Sequence, residues 1–154
     1  MATRGFEFAY MLGAEHSNLR SLDWPVAADT VGYKKGDLLV MTSSGKADKA
    51  ATSTDGTVFA ICAETNTSSV SASTNFKVFP ISPHQVWKCS TDGSSITSNL
   101  VKGYTDTVTI VDHNTIDADG STGGCMMIHD SATDDDGNKI AYVSFQVTNW
   151  FGGT

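Results

Sequence analysis

Between Lys35 and Ala63 the chain reads Lys-Gly-Asp, Leu38-Leu39-Val40-Met41, Thr42-Ser43-Ser44-Gly45-Lys46, a polar spacer, and Val58-Phe59-Ala60-Ile61-Cys62-Ala63. Two apolar runs of strand length flank a Ser/Gly turn, and Ser44-Gly45 supplies the positive-φ residue a tight reversal needs. This predicts a hairpin that returns to a second strand. In that strand, alternation puts Phe59, Ile61 and Ala63 on one side and Val58, Ala60 and Cys62 on the other. Both sides are apolar, so the strand is expected to be buried on both faces.

The pattern repeats along the chain. Phe76 to Ile81 and Gln85 to Cys89 read as the next strand pair, linked by Ser82-Pro83-His84, with Pro80 at an edge or bulge because it cannot donate to a ladder. Leu100 to Tyr104, Thr107 to Val111 and Cys125 to His129 read as short strands. The acidic turn Asp134 to Lys139 contains Asp136-Gly137, a strong hairpin signal, and leads into Ile140 to Val147, expected to be the longest strand. Val26 to Tyr33 reads as a connecting strand, and the Ser/Thr/Asn-rich run Glu64 to Asn75 as a surface loop or a weak edge strand. No segment carries a helical or heptad period. Nine to eleven short strands in 154 residues predict one all-β domain with a single core, a small β-barrel or barrel-like sandwich.

Residues 1–25 differ in character and are expected to form an N-terminal extended arm on a domain spanning 26–154. Phe6, Phe8 and Tyr10 alternate with Glu7 and Ala9 as in a strand, Met11 and Leu12 follow, and Trp24 stands before Pro25, which favours extended geometry. These aromatics either fold back on the domain or dock on a neighbour. Trp150-Phe151, before a Gly-Gly tail, offers a second aromatic contact. Phe6, Phe8, Tyr10, Met11, Leu12, Trp24, Trp150 and Phe151 are therefore the candidate interface residues, set against the ordinary role of closing a core.

Charge and chemistry narrow the function. A net charge of -7 and scattered lysines oppose binding to a phosphate backbone, so no nucleic-acid partner is expected. No run is long and apolar enough for a membrane span, and the start lacks the apolar core of a signal peptide, which together predict a soluble product of the cytoplasm. Cys62, Cys89 and Cys125 read as buried thiols. His16, His84, His113 and His129 show no metal-ligand spacing, and His129 shares even spacing with Cys125 without an evident orienting group. No catalytic residue, cofactor or metal is assigned. The Asp117-Ala118-Asp119-Gly120 and Asp134-Asp135-Asp136-Gly137 runs resemble oxygen-rich calcium loops but lack the closing Glu, and read first as capped turns.

The order Tyr33-x-x-Gly36-Asp37-Leu38-Leu39-Val40, Gly45-Lys46-Ala47-x-x-Ala50, then Val58 to Ala63 resembles the central segment of the small β-barrel decoration, or cement, proteins of tailed-phage heads. Ala60 stands where that pattern usually has Gly, and Cys62 where it usually has Val. The resemblance implies a structural virion protein, not an enzyme. It implies a homotrimer on the outer capsid surface that clamps neighbouring copies of the major capsid protein, made in the host cytoplasm. The alternatives are a receptor- or carbohydrate-binding head-fibre or tail module, using the loops Glu64 to Asn75 and Asp112 to Gly124, and a lyase or hydrolase on a β scaffold.

Overall fold

The computed structural model describes residues 5–13, 19–51, 58–93, 109–117 and 125–146. Its strands, in chain order, are β1 (Glu7–Met11), β2 (Leu22–Pro25), β3 (Leu38–Met41), β4 (Ala47–Lys49), β5 (Val58–Cys62) and β6 (Asn75–Pro80). They continue with β7 (Gln85–Thr91), β8 (Ile110–Asp112), β9 (Thr115–Ile116), β10 (Met126–Thr133) and β11 (Lys139–Phe145). The described residues are all-β. Two sheets pack as a barrel-like sandwich and do not close into a barrel.

One sheet runs β10-β11-β7-β9-β8, with β1 also paired to β7; the other runs β2-β6-β5-β3-β4. Both predicted turns form from local chemistry, but the first returns to β4 rather than directly to Val58–Cys62, and β5 pairs with the opposite edge of β3. In the first, Gly45 takes φ 75° and Thr42 N–H donates to Lys46 O at 2.8 Å. In the second, Gly137 takes φ 82° between β10 and β11, and Asp134 Oδ1 accepts from the N–H groups of Asp136 and Asn138. β10, with eight residues, is longer than β11, with seven, because the two strands pair end to end and β10 carries one extra residue, His129, at a bulge.

Three expectations are corrected. The runs around Phe76 and Trp87 do not pair: β6 lies between β2 and β5 in one sheet, and β7 between β11 and β1 in the other. The corner between them is held by Gln85, whose Oε1 accepts from Ser82 N–H and whose Nε2 donates to Pro80 O. Pro80, at the end of β6, lies beyond the reach of β2, whose pairing stops at Val78. The face assignment of β5 also changes. Leu39 pairs with Ala60 and Val40 with Val58, so Phe59 is an extra residue, and this bulge sends Phe59 to the side of Cys62 rather than that of Ile61. Finally, Val26 to Tyr33 forms no strand: its ladder pairing is limited to isolated bridges, Val26 to Ala47, Asp29 to Val70 and Tyr33 to Asn66.

The bulge divides the burial in two, where a single core was expected. Between the sheets lie Phe6, Leu38, Val40, Ile61, Trp87, Ile128, Val143 and Phe145. On the outer face of the second sheet lie Tyr33, Leu39, Phe59, Val70, Phe76 and Val78, covered by the irregular segments 26–33 and 63–74. The doubly apolar β5 is the wall shared by both clusters, all five of its residues being buried. The expected strands at Leu100–Tyr104 and at Thr107–Val108 lie outside the described residues; Ile110 is buried and Val111 exposed, as the alternation implied.

Candidate functional site

A glycine crossing seats the amino-terminal strand. Phe6 N–H donates to Gly36 O at 2.8 Å, and a Cβ on Gly5 would sit 2.8 Å from the Gly36 carbonyl carbon. Gly36 itself takes φ 94°, so neither position accepts a side chain without a shift of the backbone. From there β1 runs antiparallel to β7, with Glu7 opposite Lys88 and Phe8 opposite Trp87. Phe6 packs on Phe145 with centroids 5.6 Å apart, and Phe8 meets Trp87 edge-on at 5.6 Å.

Beneath this strand, where the two sheets diverge, a cleft of about 490 Å³ opens between β1, β7 and the β5–β6 wall. Phe8, Leu19, Ile61, Phe79 and Trp87 supply its apolar surface. Two charged residues line it, and they differ. Glu7 is paired with Lys88 at 3.2 Å, whereas Lys35 is exposed and uses its backbone N–H, not its ammonium, to bond Thr65 Oγ1 at 2.9 Å. Cys62 also borders the cleft, but burial pushes its thiol up to about 11, and Sγ donates to Glu64 O at 3.1 Å. It stays a protonated thiol near neutral pH, which is a poor nucleophile. Among the described residues the buried Trp87 indole N–H finds no hydrogen-bond acceptor, a cost of about 1–3 kcal/mol that the packing of the two sheets tolerates.

A second depression is polar and open. Glu64, Thr65, Asn66, Thr67, Ser68 and Asn75 line it. One polar atom of several of these side chains is tied to backbone: Glu64 Oε1 accepts from Lys77 N–H, and Asn66 Oδ1 from Ser68 N–H. The loop thus presents carboxylate, amide and hydroxyl groups on a fixed frame.

Three polar pairs sit deeper. Asp37 is 3% exposed; Oδ2 accepts from Lys34 N–H at 2.8 Å, and Oδ1 lies 3.9 Å from His113 Nε2. Burial raises its carboxyl above the ordinary carboxylate range, against the backbone bond and the nearby His113 and Lys49, which lower it. Leu38 N–H donates to His113 O at 2.7 Å, so this pair stands where one sheet is bonded to the other. Under the outer cover, Asp29 bonds Lys49 at 2.9 Å, and that contact holds its carboxyl below the usual value. His129 Nε2 lies 2.7 Å from Ser144 Oγ, with burial lowering the imidazole. At the bulge between Ile128 and Asp130, His129 has no paired residue in the β10–β11 register, and its ring meets Ser144 of β11. Ser144 is 1% exposed, while His129 is only partly buried.

The predicted interface residues are dispersed. Phe6 is in the inter-sheet core and Phe8 packs against it, while Tyr10 is 41% exposed. Met11 is partly buried at the end of β1, and Leu12 N–H donates to His84 O at 2.7 Å. Trp24 belongs to the other sheet, its ring tilted against Phe59 with centroids 5.5 Å apart and Nε1 donating to Gly45 O. Trp150 and Phe151 lie outside the described residues, as do Ala118 and Asp119 of one acidic run. In the other, the Asp134 carboxylate serves its own turn, with Oδ2 accepting from Asn138 Nδ2. Among the described residues no three His, Cys, Asp or Glu side chains gather closely enough to hold a metal ion. The cleft residues Leu19, Lys35 and Phe79 were not anticipated. Each lies on a different segment of the chain, and no local pattern joins them. Comparison with protein-family models, curated proteins and solved structures returns no match.

Proposed function

We propose that the protein is a structural virion component: a decoration, or cement, protein that binds the outer surface of a tailed-phage head as a homotrimer and stabilises contacts between major capsid subunits. The observation that supports this reading is the place of Tyr33 to Ala63, the segment that resembles decoration proteins. It supplies β3, β4 and β5 and contributes to both apolar clusters. It also receives the amino-terminal strand at Gly36. A clamp must transmit force without deforming, and a doubly buried central strand is suited to that. Among the described residues of the amino-terminal segment, Tyr10 and Leu22, 41% and 42% exposed, are the large apolar side chains left outside to anchor a partner.

Purified protein co-sedimented with undecorated, expanded shells should saturate near one copy per major capsid subunit. Replacing Tyr10 and Leu22 by Ser should weaken binding without changing the melting temperature by more than a few degrees. Absence of binding would remove the proposal.

The second reading, a receptor- or carbohydrate-binding module, draws on the polar depression between Glu64 and Asn75. Its carboxylate and amide groups suit the paired hydroxyls of a sugar. A few copies per virion, with saccharide-induced shifts confined to that loop, would favour it over the first.

A further inference from the structure

We propose that the cleft under β1 is a binding site for a small amphipathic anion: a molecule with an aliphatic body and one carboxylate, held with its tail against the aromatic wall and its charged end at Lys35. The argument begins with size and lining. A concavity of about 490 Å³ falls within the range of small-ligand sites, which are commonly apolar with few polar groups. Its walls are rigid: Trp87 and Ile61 are each 1% exposed, and Trp87 is packed by Phe8 at 5.6 Å and Phe79 at 6.4 Å. A ligand tail would therefore meet a preformed surface and bury Phe8, Leu19 and Phe79, which the fold leaves partly buried.

Charge decides which end group belongs there. The carboxylate of Glu7 is neutralised by Lys88, so the cleft does not ask for a cation. Among the described residues Lys35 makes no ion pair, and beside the paired Glu7 it brings a positive charge to a mainly apolar lining. An anion with an apolar tail satisfies both features. The Cys62 thiol is held protonated and bonded to Glu64 O, so the site binds and does not react.

The probes are octanoate, 1-octanol and octylammonium, added to the full-length ¹⁵N-labelled protein, with the Trp87 indole resonance assigned by comparison with Trp87→Phe. Octanoate should move that resonance saturably and bind more tightly than octanol. Lys35→Glu, at an exposed position, should weaken octanoate about tenfold, leave octanol within about twofold, and strengthen octylammonium. Leu19→Trp should block all three probes by filling the cleft. If octanoate gives no saturable shift at millimolar concentration, the site does not exist. If octanoate and octanol bind equally and Lys35→Glu changes neither, the cleft is an apolar dent without anion selectivity and the proposal fails.

Discussion

The two faces of the second sheet bury similar side chains by different means. Toward the first sheet, apolar residues such as Ile61 and Val40 meet Trp87, Val143 and Phe145 from strands whose backbone groups are already paired in ladders. On the outside, Phe59, Phe76 and Val78 are covered by segments without a ladder, held by single bridges and side-chain bonds. Tyr33 illustrates the second solution. Its ring packs 5.3 Å from Phe76, and its hydroxyl donates to Ala27 O at 2.9 Å beneath the Asp29–Lys49 pair. A sheet covers a face with volume alone, whereas a loop must also satisfy its own backbone, so polar groups enter the cover. The inner face should answer to changes in volume and the outer face to changes in polarity and pH.

The largest effect is expected inside. Phe145→Ala should cost about 3–5 kcal/mol in urea unfolding and lower the stability of the whole domain, because the cavity lies between two sheets that cannot collapse independently. A loss under about 1 kcal/mol would mean that the sheets slide together freely. Next, Tyr33→Phe should cost about 1–2 kcal/mol by leaving the Ala27 carbonyl without its donor. The signature is local: amide exchange at Val31 and Tyr33 should quicken while that of Val143 is unchanged. Uniform acceleration would erase the distinction between the two faces.

Lys49→Met should cost about 1 kcal/mol at neutral pH, a value limited by the partial solvent access of the pair. Asp29 is lowered from its ordinary 3.8, so in acid it binds fewer protons folded than unfolded. The stabilisation is complete above that value and fades as pH falls through the lower, folded one. The difference between wild type and variant should therefore shrink in acid. The smallest effect is expected at His129, whose imidazole burial lowers from 6.5. The unfolded chain takes up the proton first, so stability should decline as pH falls from 7 through the range just below 6.5. His129→Gln should flatten that slope, and an unchanged profile would locate the acid sensitivity elsewhere.

Much of the fold was legible because its signals were local. The turns at Gly45 and Gly137 need only a residue of positive φ between strand-forming runs, and the Asp134 carboxylate finds its donors within four residues. The double apolarity of Val58 to Cys62 announced a strand buried on both sides. The candidate cleft was illegible for the opposite reason. Leu19, Lys35, Ile61, Phe79 and Trp87 are joined only by the meeting of two sheets, and none carries a motif. The aromatic run Phe6, Phe8, Tyr10 was readable as a strand, but its partner β7 lies more than seventy residues away, beyond any local cue.

By itself, then, the amino-acid order determined the class, the turns and which strand would lie in the middle, since alternation and turn stereochemistry act between near neighbours. Tertiary structure alone decided that β6 and β7 part at Ser82-Pro83-His84 into different sheets, that a bulge at Phe59 splits the burial in two, and that Gly5 crosses Gly36. Those outcomes depend on which distant apolar faces fit together, and that competition is settled only when the whole chain is packed.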